Sequence, residues 1–180
     1  MKSKNTGHKD RFGSNFLLKS FIEQPPVSIQ IHTLNGRLID ANPDYAKLHS
    51  PRDEALEGLY DKYNVLGDEQ LVKLGLMPYI KRTFSGEIVS FPEYEYDGID
   101  TLRTLGINKP VSGKCWVKSQ GFSIKDEDGK VSHAVFFSED ISFQKNAEKE
   151  LRIYNLFTDN LIQSANIMQR LKPRQKLMKR

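Results

Sequence analysis

The 180-residue chain has a single cysteine, Cys115, so it can form no intramolecular disulfide and no cysteine-based zinc site, and a reducing compartment suits it. No apolar run of 18 residues occurs, and the first 15 residues, MKSKNTGHKDRFGSN, lack the apolar core of a signal peptide. A soluble, cytoplasmic protein with no membrane segment is therefore expected. A phosphate-binding glycine loop, a Gly-X-Ser-X-Gly elbow, paired metal-ligand spacing and a histidine phosphoacceptor motif are all missing, which argues against an enzyme and against a metal site. A basic face is missing too, despite a pI near 9.0. Residues 1–11 carry a net +3 and residues 172–180 a net +5, against +4 for the whole chain, so the body between them sums to −4. A nucleic-acid surface needs its basic residues on the fold itself, so nucleic acid is not expected as a partner of this chain.

What is present is enough apolar sequence, 38%, for one ordinary core. The polar stretch 1–14 reads as a disordered basic tail, and 15–26 as a short amphipathic helix, with Phe16, Leu17 and Phe21 at helical spacing before Pro25-Pro26. VSIQIHTL and RLIDA flank Asn35-Gly36 and predict a two-residue hairpin. Asn42-Pro43 opens a helix, Asp68 caps another that Gly75 ends, and Pro78 begins a third that Gly86 stops. After Gly86 the period changes to that of a strand in EIVSFPEYEYDG, where Pro92 removes a ladder donor and implies an edge or a bulge. Residues 98–113 resist assignment.

Two long β runs, GKCWVKSQGFSIK and KVSHAVFFSED, then meet at Asp128-Gly129, and the second passes directly into a charged helix. The order is two strands, short helices, three strands and one long helix, which implies an α+β sandwich. The last helix carries Ala147, Tyr154, Leu161 and Met168 at steps of seven, with Phe157, Ser164 and Leu171 offset by three. Such a seam calls for a partner, so a homodimer is expected through Tyr154, Phe157, Leu161, Met168 and Leu171, with folding back onto its own domain as the alternative.

These segments resemble the PAS, or sensory box, family over about residues 18–151. IQIHTLNGRLIDANPDYAKLH is similar to its opening hairpin and helix, GKCWVKS to its fourth strand, and IKDEDGKVSHAVFFSEDIS followed by QKNAEKEL to its closing strand and signalling helix. Asp140, Ile141 and Ser142 stand where the family often has Asp-Ile-Thr, and so as a signal relay. The resemblance implies a five-stranded antiparallel sheet in the order 2-1-5-4-3, a PAS domain over 27–141, a signalling or coiled-coil helix over 142–172 and a basic tail at 173–180. It also implies a pocket between the sheet and the Pro78–Phe84 helix, and a role in signal transduction, two-component regulation among the options. That role ends in an output domain or partner protein; a ligand-gated transcriptional regulator, or a fold used only for dimerisation, are the alternatives.

The pocket candidates are Ile31, Met77, Ile80, Phe84, Trp116, Phe122, His133, Val135 and Phe137, a mostly apolar set suited to a small-molecule ligand and explained equally by core packing. Gln30, Lys118 and Gln120 could add polar groups, depending on strand parity. Pro78–Gly86 contains no histidine, which speaks against heme, and Cys115 lies in a strand outside any flavin-photosensor motif, which speaks against flavin.

Overall fold

The computed structural model of the chain describes Ser20, residues 22–23, 27–49, 59–60, 62–107 and 113–171. The basic tails at 1–14 and 173–180 lie outside the described residues, and of the amphipathic 15–26 segment only Ser20, Ile22 and Glu23 are described, all helical. By chain contacts the molecule divides into two compact units, 1–141 and 142–180.

In the first unit, β1 (Ser28–Thr33) and β2 (Leu38–Ala41) form the opening hairpin. Its loop is longer by one residue than the Asn35-Gly36 dipeptide predicts. Thr33 N–H donates to Arg37 O at 3.0 Å and Gly36 N–H to Thr33 O at 2.8 Å, leaving Leu34, Asn35 and Gly36 in the loop. Gly36 adopts φ +88, where a Cβ would also collide with Asn64 Oδ1 and Leu66. A type I turn closed by a left-handed glycine serves the hairpin twist as well as the two-residue form does.

Helix α1 (Pro43–His49) begins where Asn42 Oδ1 accepts from Tyr45 N–H at 3.1 Å, and the same oxygen takes Ile29 N–H at 2.8 Å, tying the helix to β1. A 3-10 turn (Val65–Gly67) leads to α2 (Glu69–Lys73), which Asp68 caps through Gln70 N–H and Leu71 N–H at 2.9 and 3.2 Å. Helix α3 (Met77–Phe84) has Pro78 in its first turn and ends at Gly86 with φ +102.

The strand broken by Pro92 becomes two, β3 (Val89–Ser90) and β4 (Tyr94–Asp97), both paired antiparallel to β5 (Lys114–Lys125). Ser90 opposes Gln120 and Tyr94 opposes Val117, so residues 91–93 face only 118–119 and the extra residue makes a bulge at the proline. The unassigned stretch after β4 contains a helix, α4 (Gly98–Thr104), started by Asp97, whose Oδ1 accepts from Ile99 N–H and Asp100 N–H at 3.0 and 3.4 Å. Strand β6 (Val131–Asp140) lies between β1 and β5. The sheet order is β2-β1-β6-β5-β3 with β4 also on β5, which is the expected 2-1-5-4-3 with its third strand split.

Val117, Ala134 and Phe136 on one face of the sheet pack with Leu71, Ile80 and Leu102 from the helices and with Leu76 just before α3 to form the core. The second unit, described by itself, is α5 (Ser142–Leu171), 30 residues and so about 45 Å long, with Leu151, Tyr154, Phe157, Leu161, Ile162, Ile167 and Met168 all exposed.

Candidate functional site: a polar void inside the sheet and a cleft beside it

Register decides which side chains reach the interior. Ile31 opposes Val135 and Phe122 opposes Val135, so these share a face, and period-two alternation adds Phe137, His133 and Trp116 to it. The helix-facing positions are their neighbours: Gln30 and His32 on β1, Ala134, Phe136 and Ser138 on β6, Val117, Ser119 and Gly121 on β5. Ile31, Trp116, Phe122, His133, Val135 and Phe137 therefore lie on the sheet face away from the helices and not in the pocket expected from their hydrophobicity. Phe122 and Phe137 stack there at 5.5 Å, and Lys118 and Gln120 are exposed on the same side. Ile80, Met77 and Phe84, on α3, do reach the core, and Ile80 lines an interior void.

The parity has a steric cause. At Gly121 an added Cβ would stand 2.5 Å from Thr83 Oγ1 and 2.8 Å from Thr83 Cγ2, so α3 sits directly on the β5 backbone. Ser123 Oγ donates to Thr83 O and pins the two elements together. A tryptophan or phenylalanine cannot stand on this side of β5 at that separation, and the neighbouring Phe122 faces the other side.

The void between sheet and helices is small, about 30 Å³, room for one water. Three polar groups border it. Tyr94 OH, Ser119 Oγ and Ser138 Oγ form a chain of hydroxyls, 2.9 Å at each step. Burial raises the Tyr94 phenol to about 12, so it stays protonated. Gln30 is the second, 2.9 Å from His32 Nε2. Burial pushes His32 down to about 4, against a smaller raising effect of its bond to Gly36, and the ring is neutral. Its Nδ1, 3.0 Å from Gly36 O, must carry the one proton. Nε2 then needs a donor. The Gln30 atom facing it is Oε1 as placed, and supplying a donor there requires the amide turned end for end so that its N–H₂ faces the ring.

The third group is centred on Asp68. Its Oδ1 caps α2, and its Oδ2 accepts from Tyr63 OH at 3.0 Å and Tyr96 OH at 3.2 Å. Burial, then neighbouring charge, holds both phenols well above their ordinary value, so both remain donors. Tyr96 OH also meets Thr101 Oγ1 at 2.7 Å, and Gln70 clasps the Asp97 backbone, accepting its N–H at 2.6 Å and donating to its carbonyl at 2.9 Å. These bonds join α2, β4 and α4. Outside them lies a cleft of about 290 Å³ between α2 and α4, lined by Lys62, Gln70, Lys73, Asp100 and Thr104, with Asp68 and Tyr63 in its floor. Tyr63 lines both cleft and void.

Cys115 is buried in the core, with its thiol pushed up to about 11, first by burial and then by Asp140, Asp97 and Glu95. Such a thiol packs and does not attack. Of the relay residues, Ile141 is buried and its N–H donates to Trp116 O at 2.8 Å, while Asp140 closes β6 and Ser142 opens α5. Tyr63, Tyr94, Tyr96, Ser119 and Ser138 were not singled out in the sequence, and Asp68 only as a helix cap. Gly121 was the available signal, since a glycine inside a long strand marks a close backbone approach and so the inward row.

No family model matches the chain, and no curated protein matches it. Solved structures do. An RNA-binding light-oxygen-voltage receptor is similar with a TM-score of 0.55 at 14% identity over 89% of this chain, which spans 42% of the receptor chain. A domain of a sensory box sensor histidine kinase/response regulator from Geobacter sulfurreducens is similar at 0.51 and 13% identity, over 74% of this chain and 100% of that one. The PAS domain of an HTR-like protein from Haloarcula marismortui is similar at 0.50 and 14%, over 72% and 99%. At these identities the likeness is one of fold, and the fold is PAS-like.

Proposed function

We propose that this PAS-like chain is a sensory module that takes up a small polar molecule through the α2–α4 cleft and passes the change along β5 and β6 to α5. The observation that carries the reading is the position of Tyr63, which lines both the solvent-facing cleft and the interior void while its hydroxyl is held by Asp68. The void as it stands takes a water-sized molecule, so a larger ligand has to displace this wall. A ligand offering its own donor to Asp68 Oδ2 replaces the tyrosine bonds, and it shifts the balance of states only by its differential affinity for the open one.

The route onward is short. Ser119 and Ser138 border the void and face each other across β5 and β6, and three residues before Ser119 the Trp116 carbonyl holds the Ile141 N–H. Ile141 is the last residue before α5. The role is binding and relay without covalent chemistry, since the buried phenols and thiol stay protonated and the buried His32 ring has both nitrogens engaged. The output is a partner protein or output domain engaged through α5.

Tyr63→Phe tests the reading. It removes one Asp68 bond and loosens the wall, and hydrogen exchange in residues 142–150 is expected to change by about twofold or more while the sheet stays protected. Unchanged exchange in α5, with the variant folded, would count against coupling. The seam of exposed Tyr154, Phe157, Leu161 and Met168 favours a second element of the reading, a homodimer joined through α5 as a coiled coil.

A further inference from the structure

Most of the polar groups around the α2–α4 cleft are already engaged. Asp68 receives Gln70 N–H, Leu71 N–H, Tyr63 OH and Tyr96 OH, and these four donors fill the capacity of a carboxylate's two oxygens. Gln70 spends both ends of its amide on the Asp97 backbone and Thr101 Oγ1. Glu69 and Lys73 pair with each other at 3.6 Å. Two charged side chains of the cleft walls remain, Lys62, shortly before the 3-10 turn, and Asp100, in the first turn of α4. Both are exposed to the cleft and to solvent, and neither forms an ion pair with the other or with any described residue.

These two unspent charges select the chemistry of a ligand. An anion alone satisfies Lys62 and is repelled by Asp100, a cation alone does the reverse, and a molecule with one charge of each sign makes a charge-assisted hydrogen bond to both. A metal ion fits less well, since among the described residues no group of three His, Cys, Asp or Glu could hold one. A large apolar ligand fits no better, because Leu105 is the one aliphatic side chain among the described walls. At about 290 Å³ the cleft holds on the order of ten waters, which is room for a small amino acid.

We propose that the cleft binds a small α-amino acid as its zwitterion, the ammonium at Asp100 and the carboxylate at Lys62. The assignment rests on the reading of the cleft as the port of entry, and adds the class of molecule that enters. Because Asp68 is saturated by its four donors, the amino acid is held first at the rim. The floor opens only when a bond from Tyr63 or Tyr96 to Asp68 is exchanged for one from the ammonium.

The test is a titration of the full chain with L-alanine, followed by backbone amide shifts, beside sodium propionate, which lacks the ammonium, and L-alaninamide, which lacks the carboxylate, at matched ionic strength. Saturable shifts at Lys62, Gln70, Asp100 and Thr104 are expected with alanine at an affinity at least tenfold above either half-charged probe. Lys62→Met is expected to weaken alanine about tenfold and leave alaninamide unmoved, and Asp100→Asn to weaken alanine about tenfold and leave propionate unmoved. Either variant carries the test if the other fails to fold. Propionate or alaninamide binding as tightly as alanine, alanine affinity unmoved by both substitutions, or no saturable shift with alanine would overturn the proposal. Saturable alanine binding with unchanged hydrogen exchange in residues 142–150 would uphold the ligand class and count against the relay to α5, so the two readings fail separately.

Discussion

His32 shows how a single residue ties stability to pH. It is fully buried and neutral, with one nitrogen on Gly36 O and the other at Gln30. Its folded pKa, about 4, lies below the ordinary 6.5, so between those values the unfolded chain takes up a proton that the folded one refuses. Stability is therefore unaffected above pH 6.5 and falls as the pH drops through the window. The loss is on the order of 3 kcal/mol once the pH is below 4. Urea midpoints at pH 7 and 4.5 for the parent and His32→Gln measure this, and parallel losses in the two would refute the assignment. Gly121 shows the same economy of space. Gly121→Ala forces a methyl against Thr83 and Phe136 Cδ1, the latter at 3.0 Å, and overpacking of this kind costs about 1–3 kcal/mol. Thermal melting should show the loss, with part of it recovered in the Gly121→Ala/Thr83→Ala double variant.

At the scale of elements, β5 and α4 teach opposite lessons. The strand reads clearly as a strand, yet which of its two rows faces inward is not written in its hydrophobicity. The outer row holds Trp116 and Phe122, while the inner row holds Cys115, Val117, Ser119 and Gly121. The inner row is small because α3 rests on it, and that distance is set by a helix more than thirty residues away in the chain. Pattern reading favours the larger side chains and so selects the wrong row. Helix α4, by contrast, was legible in principle: Asp97 with Asp100 three residues on, Leu102 and Leu105, and Gly106 at φ +71 are start, core and stop signals packed into a short span. Asp97→Ala should cost about 1 kcal/mol through loss of the cap. Faster amide exchange at Ile99 and Asp100 would register it, and unchanged protection there would show that the Gln70 clasp alone holds the helix.

Across the whole molecule, the first unit buries the sheet face that meets its helices, while the apolar seam of α5 is exposed. A charged helix of 30 residues gains little from propensity alone, and its stability in water rests on covering its seam. Sedimentation equilibrium at micromolar concentration is expected to give a dimer, and Leu161→Glu to weaken it at least tenfold. A monomer in both would leave α5 to a different partner.

Turns, caps and strand boundaries needed only local chemistry, because a left-handed glycine, a capping carboxylate or a proline acts within a few residues of itself. Asn42, Asp68, Pro92 and Gly86 each did what their immediate neighbours required, and the order of elements followed from them. The interior site is different in kind. Tyr63, Asp68, Tyr96, Ser119 and Ser138 are brought together from three strands and the connectors on either side of the 3-10 turn, and the choice of inward row on β5 depends on how closely α3 can approach. Side-chain volume against available space is a property of two packed surfaces, and one strand's sequence states only its own half of it.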